Sequence, residues 1–119
     1  MKTGIELIEA ERVRQLTADY TAEHDDWLNK NGELADAAIS YAIAAAKEAR
    51  GESTPYLRGL VTVGGIPWPW EDSQWKPGSA IRNLVKAGAL IAAEIDRRQR
   101  AGNAKLTREP GTETEQKQN

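Results

Sequence analysis

Five side chains suited to acid–base or metal chemistry lie close together in the sequence: His24, Asp25 and Asp26, then Glu33 and Asp36. Glu33 and Asp36 are three residues apart, which places both carboxylates on one face of a helix near its start. Carboxylates from facing helices are a common way to hold Mg²⁺ through oxygen ligands. His24, Asp25 and Asp26, on the preceding loop, can supply a general base or further ligands. The same acids have a plainer explanation, because a helix N-terminus favours negative charge and a solvated loop tolerates it. His24 in a polar loop serves equally well as a surface or capping residue.

Glu94 extends the acidic set if it faces inward. It lies in the apolar run from Ala87 to Ile95, where a buried carboxylate requires a partner. Arg12 or Arg14 on the first helix, or a metal shared with Glu33, are candidates. The alternative is an exposed Glu94 paired with Arg97 or Arg98 one turn on. Ligand-binding candidates are of two kinds. Trp68, Trp70 and Trp75 sit in a Pro- and Gly-rich stretch of a chain with four tryptophans and no phenylalanine. They suit either packing at the end of a thin core or stacking on a base or protein partner. Arg82 and Lys86, one turn apart, suit a phosphate, and Arg12 joins them as a basic candidate.

Helices must position these groups. Thr3 and Glu6 form a capping box for a first helix from about Gly4 to Asp19, with Ile5, Ile8, Val13 and Leu16 as its apolar stripe. Tyr20 to Asn31 reads as a loop with a short helical turn capped by Thr21, and Asn31 is a good cap for the next helix. That helix, about Glu33 to Ala49, is rich in alanine, the best helix former. Its small residues allow close approach of another helix, and association through this face is expected. Gly51 is a plausible stop.

Residues Gly51 to Gly78 are irregular, with a short helix possible at Thr54-Pro55, a strand-like Leu60-Val61-Thr62-Val63 and extended Pro-Trp segments. The last helix is capped by Ser79 and carries Ile81, Leu84, Val85, Gly88, Ile91, Ala92 and Ile95 at three- and four-residue steps. Arg97, Arg98 and Arg100 suit its C-terminus, and Gly102 can close it. From Asn103 the chain is polar and is expected to be disordered. The sequence therefore predicts an all-α bundle of three main helices and a short one over residues 1–102, with a polar tail over 103–119.

The 119 residues, 39% hydrophobic and 29% charged, fit one soluble domain. So small a core leaves a lone monomer modestly stable, so a homo-oligomer is expected. The net charge of −2 argues against a nucleic-acid partner. The absence of cysteine excludes disulfides, thiolate metal sites and a Cys nucleophile. No apolar run approaches the ~20 residues of a membrane span, and a cytosolic location is expected.

Two blocks of sequence resemble known proteins. Ala10-Glu11-Arg12-Val13-Arg14-Gln15, Glu23-His24-Asp25-Asp26, Gly32-Glu33-Leu34-Ala35 and Tyr41-Ala42 form one. Trp68-Pro69-Trp70, Trp75-Lys76-Pro77 and Leu84 to Leu90, with Ile91 and Ala93-Glu94-Ile95, form the other. Over residues 4 to 100 they look like a family of small uncharacterised proteins from tailed bacteriophages and prophages. More distantly, the order of an Arg-rich helix, an acidic helix and a late helix carrying an acid is similar to all-α nucleotide pyrophosphohydrolases of the MazG-like type. There, Glu-x-x-Glu and Glu-x-x-Asp pairs bind Mg²⁺ for nucleotide hydrolysis. Here Glu33-x-x-Asp36 matches one pair, while the last helix offers only Glu94 near Asp96. The resemblance implies a nucleotide ligand, with Glu33, Asp36 and Glu94 on Mg²⁺ and His24, Asp25 or Asp26 positioning water. The competing expectation is a non-enzymatic phage accessory or anti-defence protein that binds a host protein or sequesters a signalling nucleotide.

Overall fold

The computed structural model describes residues 1–19, 21–52, 62–63 and 66–108. The fold is all-α. Its elements are α1 (Gly4–Arg14), a π-helical turn (Gln15–Asp19), α2 (Ala22–Leu28), α3 (Glu33–Ala49) and α4 (Ala80–Arg108). Between α3 and α4 lie two-residue strands, β1 (Thr62–Val63) and β2 (Ile66–Pro67), paired antiparallel, and a 3₁₀ turn at Asp72–Gln74. The Thr54-Pro55 segment and Leu60-Val61 lie outside the described residues, as do 109–119 of the expected tail.

Local chemistry sets the helix ends. The Glu6 amide donates to Thr3 Oγ1 at 3.2 Å and the Thr3 amide to Glu6 Oε1 at 2.8 Å, closing the capping box of α1. Thr21 Oγ1 accepts from the His24 amide at the start of α2. Gly51, at φ +75°, ends α3: its amide bonds Glu48 O and the Glu52 amide bonds Lys47 O, a Schellman stop. Ser79 Oγ accepts from the Arg82 amide and opens α4. The cap of α3 is Gly32, at φ +90°, and not Asn31. The Asn31 amide instead donates to Glu33 Oε1 at 2.8 Å. At the other end, α4 continues through Gly102 to Arg108, beyond the expected stop.

The core lies between α3 and α4. Ala37, Ala38 and Ala44 pack with Ala87, Leu90 and Ala93, and Leu34 is fully buried among them. These small side chains let the two helices close on each other. Tyr41, Trp68 and Trp75 fill the end of this thin core with aromatic area that alanine lacks. The alanine face of α3 is thus used within the chain, against the expectation that it would join two copies.

The apolar stripes expected on the first and last helices do not face the core. Ile5 and Val13 are mostly exposed, while Glu11, Arg12 and Gln15 are buried. The cause is the crossing of α1 over α4: Ile8 packs onto Gly88, where a Cβ would lie 2.5 Å from Ile8 Cδ1. The next turn of α1 then meets a polar region. On α4, Val85 is buried, but Ile81, Leu84, Ile91 and Ile95 are each more than half exposed. The side of α4 that carries Ala87, Leu90 and Ala93 takes the close contact with α3, which turns Ile81, Leu84, Ile91 and Ile95 outward.

Candidate ligand cleft

A cleft of about 810 Å³ opens where α1, α2, α3, α4 and the Trp-Pro segment meet. Ligand clefts typically fall in the range of ~300–1,000 Å³. Its far end is aromatic. Trp75 stacks on Tyr41 at 4.7 Å between ring centroids, and Trp68 meets Tyr41 edge-on at 5.7 Å. Trp70 meets Trp68 edge-on at 5.4 Å and is the half-buried member of the group. Trp68 and Trp75 therefore do core work, and Trp70, with Leu28 and Leu90, gives the cleft an apolar wall.

One side is charged. Glu11 is buried, and Arg14 grips it with two bonds, Nε to Oε1 at 3.1 Å and Nη2 to Oε2 at 2.8 Å. Arg82 donates to Glu11 Oε1 from α4. Burial pushes the Glu11 carboxyl up, but these two guanidinium partners outweigh it and hold its pKa below the ordinary carboxylate value. Lys86 donates to Lys76 O at 2.6 Å and lies 5.2 Å from the Tyr41 ring centroid. Burial, then the charge of Arg82, lowers the Lys86 pKa despite Glu11. Burial raises the Tyr41 hydroxyl, opposed by the Lys76 amide that donates to it. The π-helical turn that begins at Gln15 carries that side chain into the cleft lining beside Arg14.

The expected catalytic trio is divided. His24 lines the cleft. Asp25 is fully buried behind it, its Oδ1 3.8 Å from His24 Nδ1 and accepting from Asn29 Nδ2 at 3.1 Å. Asp26 is outside the cleft lining, bound to the Arg100 guanidinium at 2.8 Å.

The expected metal set meets an arginine. Glu94 is buried, and Arg97 binds both of its oxygens at 3.1 and 3.0 Å, with Arg98 sharing Oε2. The hydrogen bonds from Arg97 are the main cause holding the Glu94 carboxyl below its ordinary value. The Arg97 pKa is raised first by its bonds to Glu94, and also by the charges of Asp26 and Glu33. Among the described residues, no three His, Cys, Asp or Glu side chains group as a metal site. Glu94 as placed does not fit a Mg²⁺ ligand, because Arg97 and Arg98 engage both of its oxygens. Glu33 also bonds the Asn31 amide, and the backbone carbonyl of Asp36 accepts from Ser40.

Of the ligand-binding candidates, Lys86, Trp68 and Trp70 line the cleft. Arg82 acts there through Glu11. Arg12 is turned away to Asp96 at 3.4 Å, and Trp75 is in the core. Arg97, Arg98 and Arg100 serve Glu94 and Asp26, not the end of a helix.

Sequence reading missed Glu11, Asn29, Tyr41 and Asn83. Asn83 clasps Gly78 from both sides, accepting from its amide at 2.7 Å and donating to its carbonyl at 3.2 Å, which sets the entry to α4. Its signal is position: Asn83 is four and seven residues before Ala87 and Leu90, on the face of α4 that is buried. For Glu11 the local signal was Arg14, three residues on and on the same helix face, which can neutralise it once buried. No described helix is long and apolar enough to cross a membrane. Comparison with protein-family models, with curated proteins and with solved structures finds no match to the chain.

Proposed function

We propose that the protein binds a nucleotide in this cleft, with the base against Trp70 and the phosphates toward Lys86 and Arg14. The observation that supports it is the pairing, in one cleft of suitable size, of an indole wall with cationic side chains. Planar rings stack on indoles whatever their substituents, and phosphate favours lysine and arginine. His24 adds a group able to exchange a proton at the same surface. The reading is a phage-type binding protein acting in the host cytosol. Sequestration of a nucleotide fits it without any chemical step.

Calorimetry on the full chain tests this, using ribo- and deoxynucleoside mono- and triphosphates with Mg²⁺ or with EDTA, followed by product analysis. Binding is expected, and Trp70→Ala and Lys86→Met should weaken it. No heat from any nucleotide in either buffer would overturn the reading. Released phosphate or pyrophosphate with Mg²⁺ would make the protein an enzyme of the pyrophosphohydrolase type and would require Arg97 to leave Glu94.

The exposed α4 face supports a homo-oligomer in which a second copy covers Ile81, Leu84, Ile91 and Ile95. Ile81 and Leu84 precede, and Ile91 and Ile95 follow, Gly88, which Ile8 of α1 covers, so the second copy would meet two exposed pairs on either side of that crossing.

A further inference from the structure

We infer that Asn29 is the positioning residue for Trp70, and that it fixes the indole as the base-stacking wall of the cleft. Asn29 is 1% exposed at the end of α2. Its Nδ2 donates to Asp25 Oδ1 at 3.1 Å, and its Oδ1 accepts from Trp70 Nε1 at 3.0 Å, across 41 residues of sequence.

The chemistry permits one orientation of this amide. An indole N–H only donates, so the amide must turn its oxygen to Trp70, and its NH₂ then faces Asp25. Turning the amide over would set its oxygen against the Asp25 carboxylate and its NH₂ against the Trp70 N–H. The bond to Asp25, itself fully buried, anchors the amide, and the amide oxygen in turn holds the indole N–H. Trp70 follows Pro69, whose ring restricts the backbone, but backbone restriction alone does not set the plane of a side chain. The side-chain bond supplies that constraint. Asn29 Nδ2 also lies 3.5 Å from His24 Nδ1, so one buried amide touches both the ring wall and the imidazole of the cleft.

A preorganised wall loses less conformational freedom on binding than a free one. The inference about affinity rests on the nucleotide reading above, whereas the inference about Trp70 orientation does not.

Two measurements separate them. The first uses the free protein: hydrogen exchange of the Trp70 Nε1 proton by NMR, in wild type and in Asn29→Leu, which keeps much of the volume and removes both bonds. Exchange should quicken by about tenfold or more. Unchanged exchange would overturn the positioning role. The second is the Kd for a purine deoxynucleoside triphosphate in wild type, Asn29→Leu, Trp70→Phe and the double variant. Trp70→Phe keeps a ring and removes the donor while leaving Asn29 in place, so it tests the bond even if Asn29→Leu does not fold. Each single change should weaken binding by about three- to tenfold, and the double change should be no worse than the stronger single one. Full additivity would sink the coupling. A wild type that binds no nucleotide but protects its Trp70 proton only when Asn29 is present would remove the ligand and keep the positioning role.

Discussion

Arg82, in the first turn of α4, donates to the buried carboxylate of Glu11 on α1 across 71 residues of sequence. This bond ties the first helix to the last beside the cleft, and Arg14 completes the neutralisation of Glu11. Arg82→Ala leaves a buried carboxylate with fewer partners. A loss of about 1–2 kcal/mol is expected by urea denaturation at pH 7, moderated because Arg82 is partly exposed and Arg14 remains. The Glu11 pKa is lower in the folded chain than in the unfolded one. Its stabilisation is therefore complete above the unfolded carboxylate value, ~4.3, and is lost as pH falls through the folded value. The gap between wild type and Arg82→Ala should close in acid. A gap that persists unchanged at pH 3 would show that packing, not charge, carries it.

Lys86 gives the cleft a second pH signature. Its pKa is lowered by burial and by Arg82. Anion binding needs the protonated amine, so affinity for a nucleoside triphosphate should fall on raising pH before the ordinary lysine value of ~10.4 is reached. Lys86→Met keeps the stem and removes the charge. It should cost about tenfold in affinity at neutral pH and flatten the alkaline limb, both read by calorimetry.

Gly88 is set by its neighbour. An added Cβ would lie 2.5 Å from Ile8 Cδ1 and 2.9 Å from Cγ1. Gly88→Ala gains about 1 kcal/mol of helix propensity and meets an overpacking cost of about 1–3 kcal/mol. In wild type the change should destabilise. In an Ile8→Ala background the clash is gone and the same substitution should stabilise by about 1 kcal/mol. Equal effects in both backgrounds, measured by urea denaturation, would place the constraint elsewhere.

The exposed side of α4 should mediate self-association. Replacing Ile91 and Ile95 together by Lys should shift the protein from dimer to monomer in sedimentation velocity while its helical circular dichroism is kept. A wild type that stays monomeric at high concentration would refute the second copy.

Much of the scaffold was legible because caps are local. Thr3, Glu6, Thr21, Gly51 and Ser79 act on backbone groups within a few residues, and each does what its type suggests. Periodicity named α4 correctly but chose the wrong side of it. Hydrophobic spacing identifies an apolar face and says nothing about which partner covers it, and the alanines of α3 selected the smaller residues Ala87 and Ala93 over Ile91 and Ile95. The cleft was legible in part: Lys86, Trp70 and His24 have types that invite a ligand. Asn29 and Glu11 escaped because their value lies in contacts 41 and 71 residues away. Glu94 was anticipated in both halves, as a buried acid needing a partner and as a mate of Arg97 or Arg98. The structure joins the halves in one buried pair.

Arg97 gives the acid-rich side of the bundle a counter-charge that is covalently attached and cannot be dialysed away. Glu94, Asp26 and Glu33 all act on it electrostatically. Arg97 thus brings to these acids the neutralisation that a divalent ion from solution would otherwise supply, and melting temperatures measured with and without a chelator are expected to coincide.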